Sequence, residues 1–123
     1  MTPPPSPAEV NRAILAARAA GDFEAAANYI AADSRDQGRH VTRADWRRKW
    51  EGLWAGVPDF DVVVESSVEN GEWVANRYTV RGTHTGDFFG RPPTGQRFEV
   101  TGMDMIRVVD GHLVEHWMVA ESF

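Results

Sequence analysis

The sequence has 123 residues, 42% of them hydrophobic and 25% charged, a mixture typical of one globular domain. Its net charge of −5 argues against nucleic acid as a partner, because binding to a phosphate backbone needs a basic face. The absence of cysteine excludes disulfides, thiolate metal sites and a cysteine nucleophile.

At the start of the chain, residues 1–6 are rich in proline and are expected to form a disordered or extended tail. This segment lacks the basic and apolar regions of a signal peptide. No stretch approaches the roughly 18 apolar residues that span a bilayer. We therefore expect one cytoplasmic domain over residues 1–123, without a membrane partner.

Two helices are predicted next. Ser6 and Glu9 form a capping-box pattern that begins the first helix, and Gly21 ends it. A second, short helix follows over residues 23–30, so the opening is a helical hairpin. Residues 31–41 are polar and irregular, and are expected to form a loop with a short strand.

A third helix is predicted after Thr42, where the capping-box pattern recurs. Trp46, Trp50 and Trp54 follow at helical spacing and make an aromatic stripe that ends before Gly56. Such a stripe most often belongs to the core. The alternative is that one tryptophan forms a wall of a ligand pocket.

From residue 59 onward the hydrophobic period changes from helical to two, which indicates strands. Asn70-Gly71 and Asp110-Gly111 are hairpin turns, and the paired prolines of residues 86–95 break the sheet. The longer predicted strands cover residues 72–85, 96–109 and 112–121. Helices followed by a four-stranded meander predict an α+β domain with the helices on one face of the sheet.

The two faces of the long strands can be sorted by parity, because successive side chains point to opposite sides. On each of the first two long strands, the set without arginine is the candidate for the inner face. The first inner set is Val74, Asn76, Tyr78, Val80, Gly82 and His84. The second is Val100, Gly102, Asp104, Ile106 and Val108.

Asp104 is therefore a carboxylate among apolar residues on an inward face. Burying such a group is costly unless it is paired or protonated. An acid in these surroundings is a candidate for proton transfer near neutral pH. The alternative is that Asp104 points outward or satisfies a structural role on a neighbouring strand.

The last strand has no clearly polar face, so its parity is not fixed by the pattern. If His116 faces inward, it could meet Asp104 across adjacent strands, with His84 beyond it, and form a proton-transfer pair. Alternatively, each histidine has only a structural or surface role. His112 and His116 do not predict a metal site, because four residues of a strand span about 13 Å.

Five short motifs follow one another in a recognisable order. They cover residues 80–86 (VRGTHTG), 90–95 (GRPPTG), 102–105 (GMDM), 110–111 (DG) and 115–117 (EHW). This series resembles the SnoaL-like polyketide cyclases, also called ester cyclases, within the nuclear transport factor 2-like superfamily. The resemblance extends over roughly residues 23–121.

The resemblance implies a cone-shaped α+β barrel, in which the N-terminal helices pack on a curved antiparallel sheet that encloses a pocket. It also implies no cofactor, and frequently a homodimer through the outer sheet face. In the family, an aspartate in the pocket is the general acid/base for an intramolecular aldol ring closure. By motif position that aspartate is Asp104, and His84 and His116 match motif histidines.

The chain also departs from the family pattern. Members often carry a histidine where this chain has Asp36-Gln37, and many continue beyond the segment that ends here at Phe123, which would leave the pocket more open. Met118 stands near the place of an acid in related epoxide hydrolases, so that activity is not expected. Asp36 and Asp104 could imitate the paired acids of ketosteroid isomerases.

The leading hypothesis is an enzyme that acts on a carbon acid beside a carbonyl in a hydrophobic, polyketide-like substrate, by cyclisation or isomerisation. Asp104 would move the proton, assisted by His84 and His116. The candidate substrate-binding residues are Gln37, Trp50, Trp54, Tyr78, Phe88, Phe89, Ile106 and Met118.

Two other classes of function remain open. The first is a noncatalytic small-molecule-binding domain of the same fold, because a fold does not fix a function. The second is a protein-interaction module that uses the outer face with Trp73, Met103 and Met105. We interpret that face as a homodimer interface, since methionine and tryptophan suit association surfaces.

Overall fold

The computed structural model describes residues 2–122, so Met1 of the predicted tail and Phe123 lie outside the described residues. Residues 2–6 form no helix or strand. The helices are α1 (Pro7–Ala19), α2 (Phe23–Ala27) and α3 (Arg43–Gly56). The strands are β1 (Ile30–Asp36), β2 (Arg39–Val41), β3 (Asp61–Asn70), β4 (Trp73–Thr83), β5 (Arg97–Val109) and β6 (His112–Ala120). No helix within the described range is long and apolar enough to cross a bilayer.

The two capping boxes predicted from sequence are confirmed. The Ser6 hydroxyl accepts from the Glu9 amide at 3.2 Å, and the Glu9 carboxylate accepts from the Ser6 amide at 3.0 Å. Thr42 and Asp45 make the same reciprocal pair at 3.1 and 2.8 Å. The second helix is shorter than expected, because Ile30 already begins β1.

The sheet has six strands in the order β2-β1-β6-β5-β4-β3, so it is larger than the predicted meander. Strands β3 to β6 form that meander, with antiparallel pairing throughout. The segment expected to be mostly loop is instead the β1–β2 hairpin, which joins the sheet through parallel pairing of β1 with β6. The sheet is curved and unclosed, with β2 and β3 at its edges, and the helices pack on one face.

The predicted inner faces of β4 and β5 are confirmed by burial. Val74 and Tyr78 are buried on β4, whereas Arg77 between them is exposed. On β5, Ile106 is buried and Met105 beside it is exposed. The two-residue alternation of the sequence therefore predicts correctly which face of each strand points into the protein.

A β-bulge explains why the parity of β6 could not be read from its sequence. Arg107 pairs with Glu115 but Val108 pairs with Leu113, so β6 carries one extra residue at Val114. The extra residue brings both Leu113 and His116 to the inner face, three positions apart, where both are buried.

The core lies between the helices and the inner sheet face. Trp46 and Trp50 are buried in it, with ring centroids 5.8 Å apart, and they pack near Ile30 and Ile106. The Trp46 indole N–H donates to the Ser34 hydroxyl at 3.0 Å, so the buried polar group of this ring is satisfied.

Gly102 on β5 leaves the space that the Tyr78 ring occupies. A Cβ at this position would lie 2.8 Å from the Tyr78 hydroxyl oxygen and closer still to the ring. We expect Gly102→Ala to lower the free energy of unfolding by about 1–3 kcal/mol, because a rigid ring must move. Urea titration measures this loss. Thr101→Ala, at the adjacent exposed position, is the control and should cost less; equal costs would contradict the prediction.

Candidate active site

A cavity of about 230 Å³ lies between α1, α3 and the inner face of the sheet. Aliphatic and aromatic side chains form most of its walls. The predicted site residues that line it are Trp50, Tyr78, Phe88, Asp104, Ile106, His116 and Met118. The cavity therefore brings an acid and a histidine together with aromatic walls.

Asp104 lies on the inner face of β5, with its side chain 12% exposed. Asn76 is its direct partner on β4 and donates from Nδ2 to Asp104 Oδ1 at 2.8 Å. The Asn76 Oδ1 in turn accepts from the Ser67 hydroxyl at 2.6 Å, which orients the amide. This network fixes the plane of the carboxylate and satisfies one of its oxygens.

The second oxygen of Asp104 faces His116. The distance from His116 Nε2 to Asp104 Oδ2 is 3.5 Å, and His116 Nδ1 lies 2.9 Å from Asp36 Oδ1. Asp36 Oδ2 accepts from Lys49 Nζ at 2.8 Å. One buried imidazole is thus held between two carboxylates, which come from β1 and β5.

The electrostatics of this row favour a charged imidazole. Burial alone would lower the pKa of His116, but its hydrogen bonds to Asp104 and Asp36 outweigh burial and raise that pKa above the usual value. For Asp36, burial opposes ionisation, but hydrogen bonds from His116 and Lys49 lower the pKa of its carboxyl. The two pKa shifts have opposite directions, and each favours the charged form of its group.

Tyr78 is a hydrogen-bond donor on the same inner face. Burial, together with the negative charge of Asp104, raises the pKa of Tyr78 to about 12, and the positive charge of Arg18 only partly opposes this. The phenol is therefore protonated at neutral pH. Its O–H lines the cavity, where it can donate to an oxygen of a ligand.

The structure places His84 outside the walls of this cavity. The residue is 2% exposed, its amide donates to the Gln96 carbonyl at 3.0 Å, and its carbonyl accepts from Gly95 at 2.8 Å. Its ring packs edge-on against Phe88, with centroids 6.0 Å apart. His84 thus packs beneath the loop that follows β4, rather than beyond His116 in line with Asp104.

Three predicted substrate-binding residues also lie off the cavity walls. Gln37 binds the backbone of Met118 through both amide atoms, at 2.6 and 3.0 Å, and so ties the β1–β2 turn to β6. Phe89 is 58% exposed in a loop with φ of 50°. Trp54 is 38% exposed, packs edge-on against Phe23 and lines an adjoining pocket.

Asn76 and Lys49 were not predicted as site residues from the sequence. Asp36 was considered only as a partner of Asp104, by comparison with the paired acids of ketosteroid isomerases. Asn76 was on the predicted inner face, but its pairing with Asp104 depends on a register set across an irregular loop. Asp36 reaches His116 through the parallel β1–β6 pair, for which the local pattern holds no signal. For Lys49 the sequence does contain a signal, because this residue lies one helical turn before Leu53, on the inward side of α3.

Within residues 2–122, no group of three or more His, Asp or Glu side chains is placed to hold a metal ion. The row of Asp36, His116 and Asp104 does not form one, because the two acids contact different nitrogens of the same ring.

Comparison with known proteins identifies one family. The family model for "SnoaL-like polyketide cyclase" matches residues 8–122. Among curated relatives, the aklanonic acid methyl ester cyclase DnrD from Streptomyces peucetius is 42% identical over 48 residues. That match covers 39% of this chain but only 33% of DnrD.

Solved structures match over nearly the whole chain. IdmH from Streptomyces antibioticus, a proposed polyketide cyclase, superposes with a TM-score of 0.81 and 34% identity, over 94% of this chain and 91% of IdmH. AclR from Streptomyces galilaeus, a proposed hydroxylase, gives 0.78 and 32% identity over the same shares of the two chains. The fold is thus shared by relatives with different assigned reactions.

Asp36→Asn is expected to lower the pKa of His116, because it removes one of the two anionic acceptors that hold the ring. In the wild type, the raised pKa contributes stability below about pH 6.5, the value of free histidine, and this is lost as pH rises through the folded pKa. In the variant, the loss should be smaller and should be complete at a lower pH. Titration of the histidine ring signals by NMR, with unfolding measured at each pH, tests both statements.

Asp33→Asn is the matched control, because Asp33 contacts the exposed His40 at the same 2.9 Å distance. This change should leave the His116 titration as it is in the wild type. An unchanged His116 pKa in Asp36→Asn would contradict the proposed coupling.

Proposed function

Because this chain belongs to the SnoaL-like polyketide cyclase family, we propose that it is a cofactor-independent enzyme in which Asp104 moves a proton at a carbon beside a carbonyl group. The observation that carries the proposal is the position of Asp104, an acid on the cavity wall held by Asn76 and His116. The substrate is a polyketide-like molecule, and the reaction is an aldol-type cyclisation or an isomerisation.

The reaction begins when the Asp104 carboxylate accepts a proton from the carbon acid, and the electron pair of that C–H bond becomes the enolate. The enolate carbon attacks a second carbonyl of the same molecule, and a carbon–carbon bond closes the ring. The new alkoxide takes the proton back from Asp104. No atom is gained or lost, so product and substrate have the same mass.

The neighbours of Asp104 have separate roles in this scheme. His116 Nε2 lies 3.5 Å from Asp104 Oδ2 and helps to position the carboxylate. Contacts with Asp104 and Asp36 raise the pKa of His116 and so favour its positive charge, which can offset negative charge that develops on the enolate. The protonated Tyr78 phenol donates a hydrogen bond to the substrate carbonyl oxygen, where that charge collects.

Asp104→Asn is expected to lower turnover by about 10²–10⁴-fold, because the amide keeps the shape but cannot accept the proton. Aklanonic acid methyl ester, the substrate in the name of DnrD, is the first compound to test. Liquid chromatography separates product from substrate, and mass spectrometry identifies the reaction: a cyclised product keeps the substrate mass, whereas the hydroxylation suggested by the name of AclR would add oxygen. Exchange of the acidic C–H in deuterium oxide reports the first step by itself.

Glu65→Gln is the control, since Glu65 is an exposed acid on the same sheet that accepts from the Thr79 hydroxyl. It should keep wild-type turnover. Unchanged turnover in Asp104→Asn would remove Asp104 from the mechanism. Ligand binding without turnover or proton exchange, and insensitive to Asp104, would favour the noncatalytic binding domain.

We further propose that the outer sheet face forms a homodimer. Met103 and Met105 on β5 are 54% and 47% exposed, and they pair with Val119 and Trp117 on β6, which are 71% and 44% exposed. The four side chains form one contiguous apolar surface, a feature that marks association sites. A second copy of the same face would cover it.

Met105→Glu is expected to shift the dimer toward monomer, because two-fold symmetry would place the buried charges of both copies in one interface. Analytical ultracentrifugation at micromolar concentration measures the shift. Ala16→Glu, at an exposed position of α1, is the control and should not change the assembly. A monomeric wild type under these conditions would contradict the proposed dimer.

A further inference from the structure

Arg18 is a cation on the cavity wall that the proposed reaction does not use. It lies in the last turn of α1, one helical turn after the buried Ile14, and is half-buried. Its side chain lines both the cavity with Asp104 and the adjoining pocket near Trp54. Any ligand that passes between these two spaces meets its guanidinium group.

Aromatic rings surround this guanidinium. Its central carbon lies 5.5 Å from the ring centroid of Trp50 and 6.0 Å from that of Phe60. Ring faces attract a cation but do not replace hydrogen-bond acceptors for the five N–H donors of arginine. Throughout residues 2–122, no acidic side chain lies within ion-pair distance of Arg18, and no hydrogen bond of its side chain is formed.

The acids that line the adjoining pocket with Arg18 are already engaged. Asp59 accepts from the amide and hydroxyl of Thr83 at 2.7 and 2.8 Å. Asp61 pairs with Arg81 at 3.1 Å. Burial lowers the pKa of Arg18 to about 10, which still leaves the group charged at neutral pH. Asp104, on the wall of the same cavity, attracts this charge without forming an ion pair with it, so Arg18 has no direct counter-ion among residues 2–122.

We infer that Arg18 is a specificity-determining residue that binds an oxyanion of the substrate, a carboxylate or a phenolate carried on a planar aromatic ring. The ring would pack against Trp50 and Phe60, and its anionic oxygens would accept from the guanidinium. Because Arg18 and Asp104 line one cavity without touching, the same molecule can present its carbon acid to Asp104. The inference rests on the proposed function only in taking this cavity as the substrate site.

Two probes that differ only in charge test the inference: naphthalene carboxylate and its uncharged methyl ester. We expect the wild-type protein to bind the carboxylate at least about tenfold more tightly, the range expected for charge-assisted hydrogen bonds. Isothermal titration calorimetry at neutral pH measures both affinities. Equal affinity for the two probes, or no measurable binding of either, would overturn the inference.

Arg18→Met keeps the length of the apolar stem and removes the charge, so it should abolish the preference for the carboxylate and leave ester binding unchanged. Arg12→Met is the matched control, because Arg12 is exposed on the same helix and should keep the wild-type preference. A preference that survives in Arg18→Met would also overturn the inference. If circular dichroism shows that Arg18→Met does not fold, Arg18→Lys takes its place. The comparison of the carboxylate with the ester on the wild-type protein then still tests the inference.

Asp104→Asn separates this inference from the proposed reaction. The change removes the proton acceptor but leaves Arg18 in place, so the preference for the carboxylate should persist while turnover falls. Loss of the preference in Asp104→Asn would show that Arg18 alone does not bind the anion, and would overturn the inference. Retained turnover in the same variant would instead contradict the proposed reaction and leave the role of Arg18 intact.

Discussion

The arrangement of the site depends on one imidazole held between two carboxylates. His116 contacts Asp36 at 2.9 Å and faces Asp104 at 3.5 Å, in surroundings that leave its side chain 11% exposed. Charges taken out of water are stable only where each has a partner. The row therefore favours one arrangement of β1, β6 and β5, the strands that supply its members. Asp104, the acid that faces the cavity, is thus oriented by side-chain contacts that connect three strands of the sheet.

Local patterns account for the parts of this structure that depend on neighbouring residues. The capping boxes at Ser6 and Thr42, and the alternation along β4 and β5, were correct because each is a property of a few consecutive residues. The inward direction of Asp104 follows from the same alternation. The fold class and the inward position of Asp104 could thus be predicted from the residues themselves. The resemblance to the SnoaL-like family added the expectation of an enclosed pocket.

The remaining features depend on pairings between distant segments. The bulge at Val114 changes which side chains of β6 point inward, and no residue type at this position indicates a bulge in the sequence. Asp36 meets His116 across 80 residues of sequence, through a parallel pair that the polar composition of β1 conceals. Arg18 is an exception, since its position one turn after Ile14 marks the inner face of α1. The charge of arginine is, however, typical of an outward-facing position on a helix.

The parallel contact between β1 and β6 also has a consequence for how the protein folds. Asp36 and His116 are 80 residues apart, so the charged row forms only when β1 and β6 have paired. Closing such a distant contact is slow, since loop entropy must be overcome first. We therefore expect the hairpins of β3 to β6 to form early in folding and the row of Asp36, His116 and Asp104 to form late.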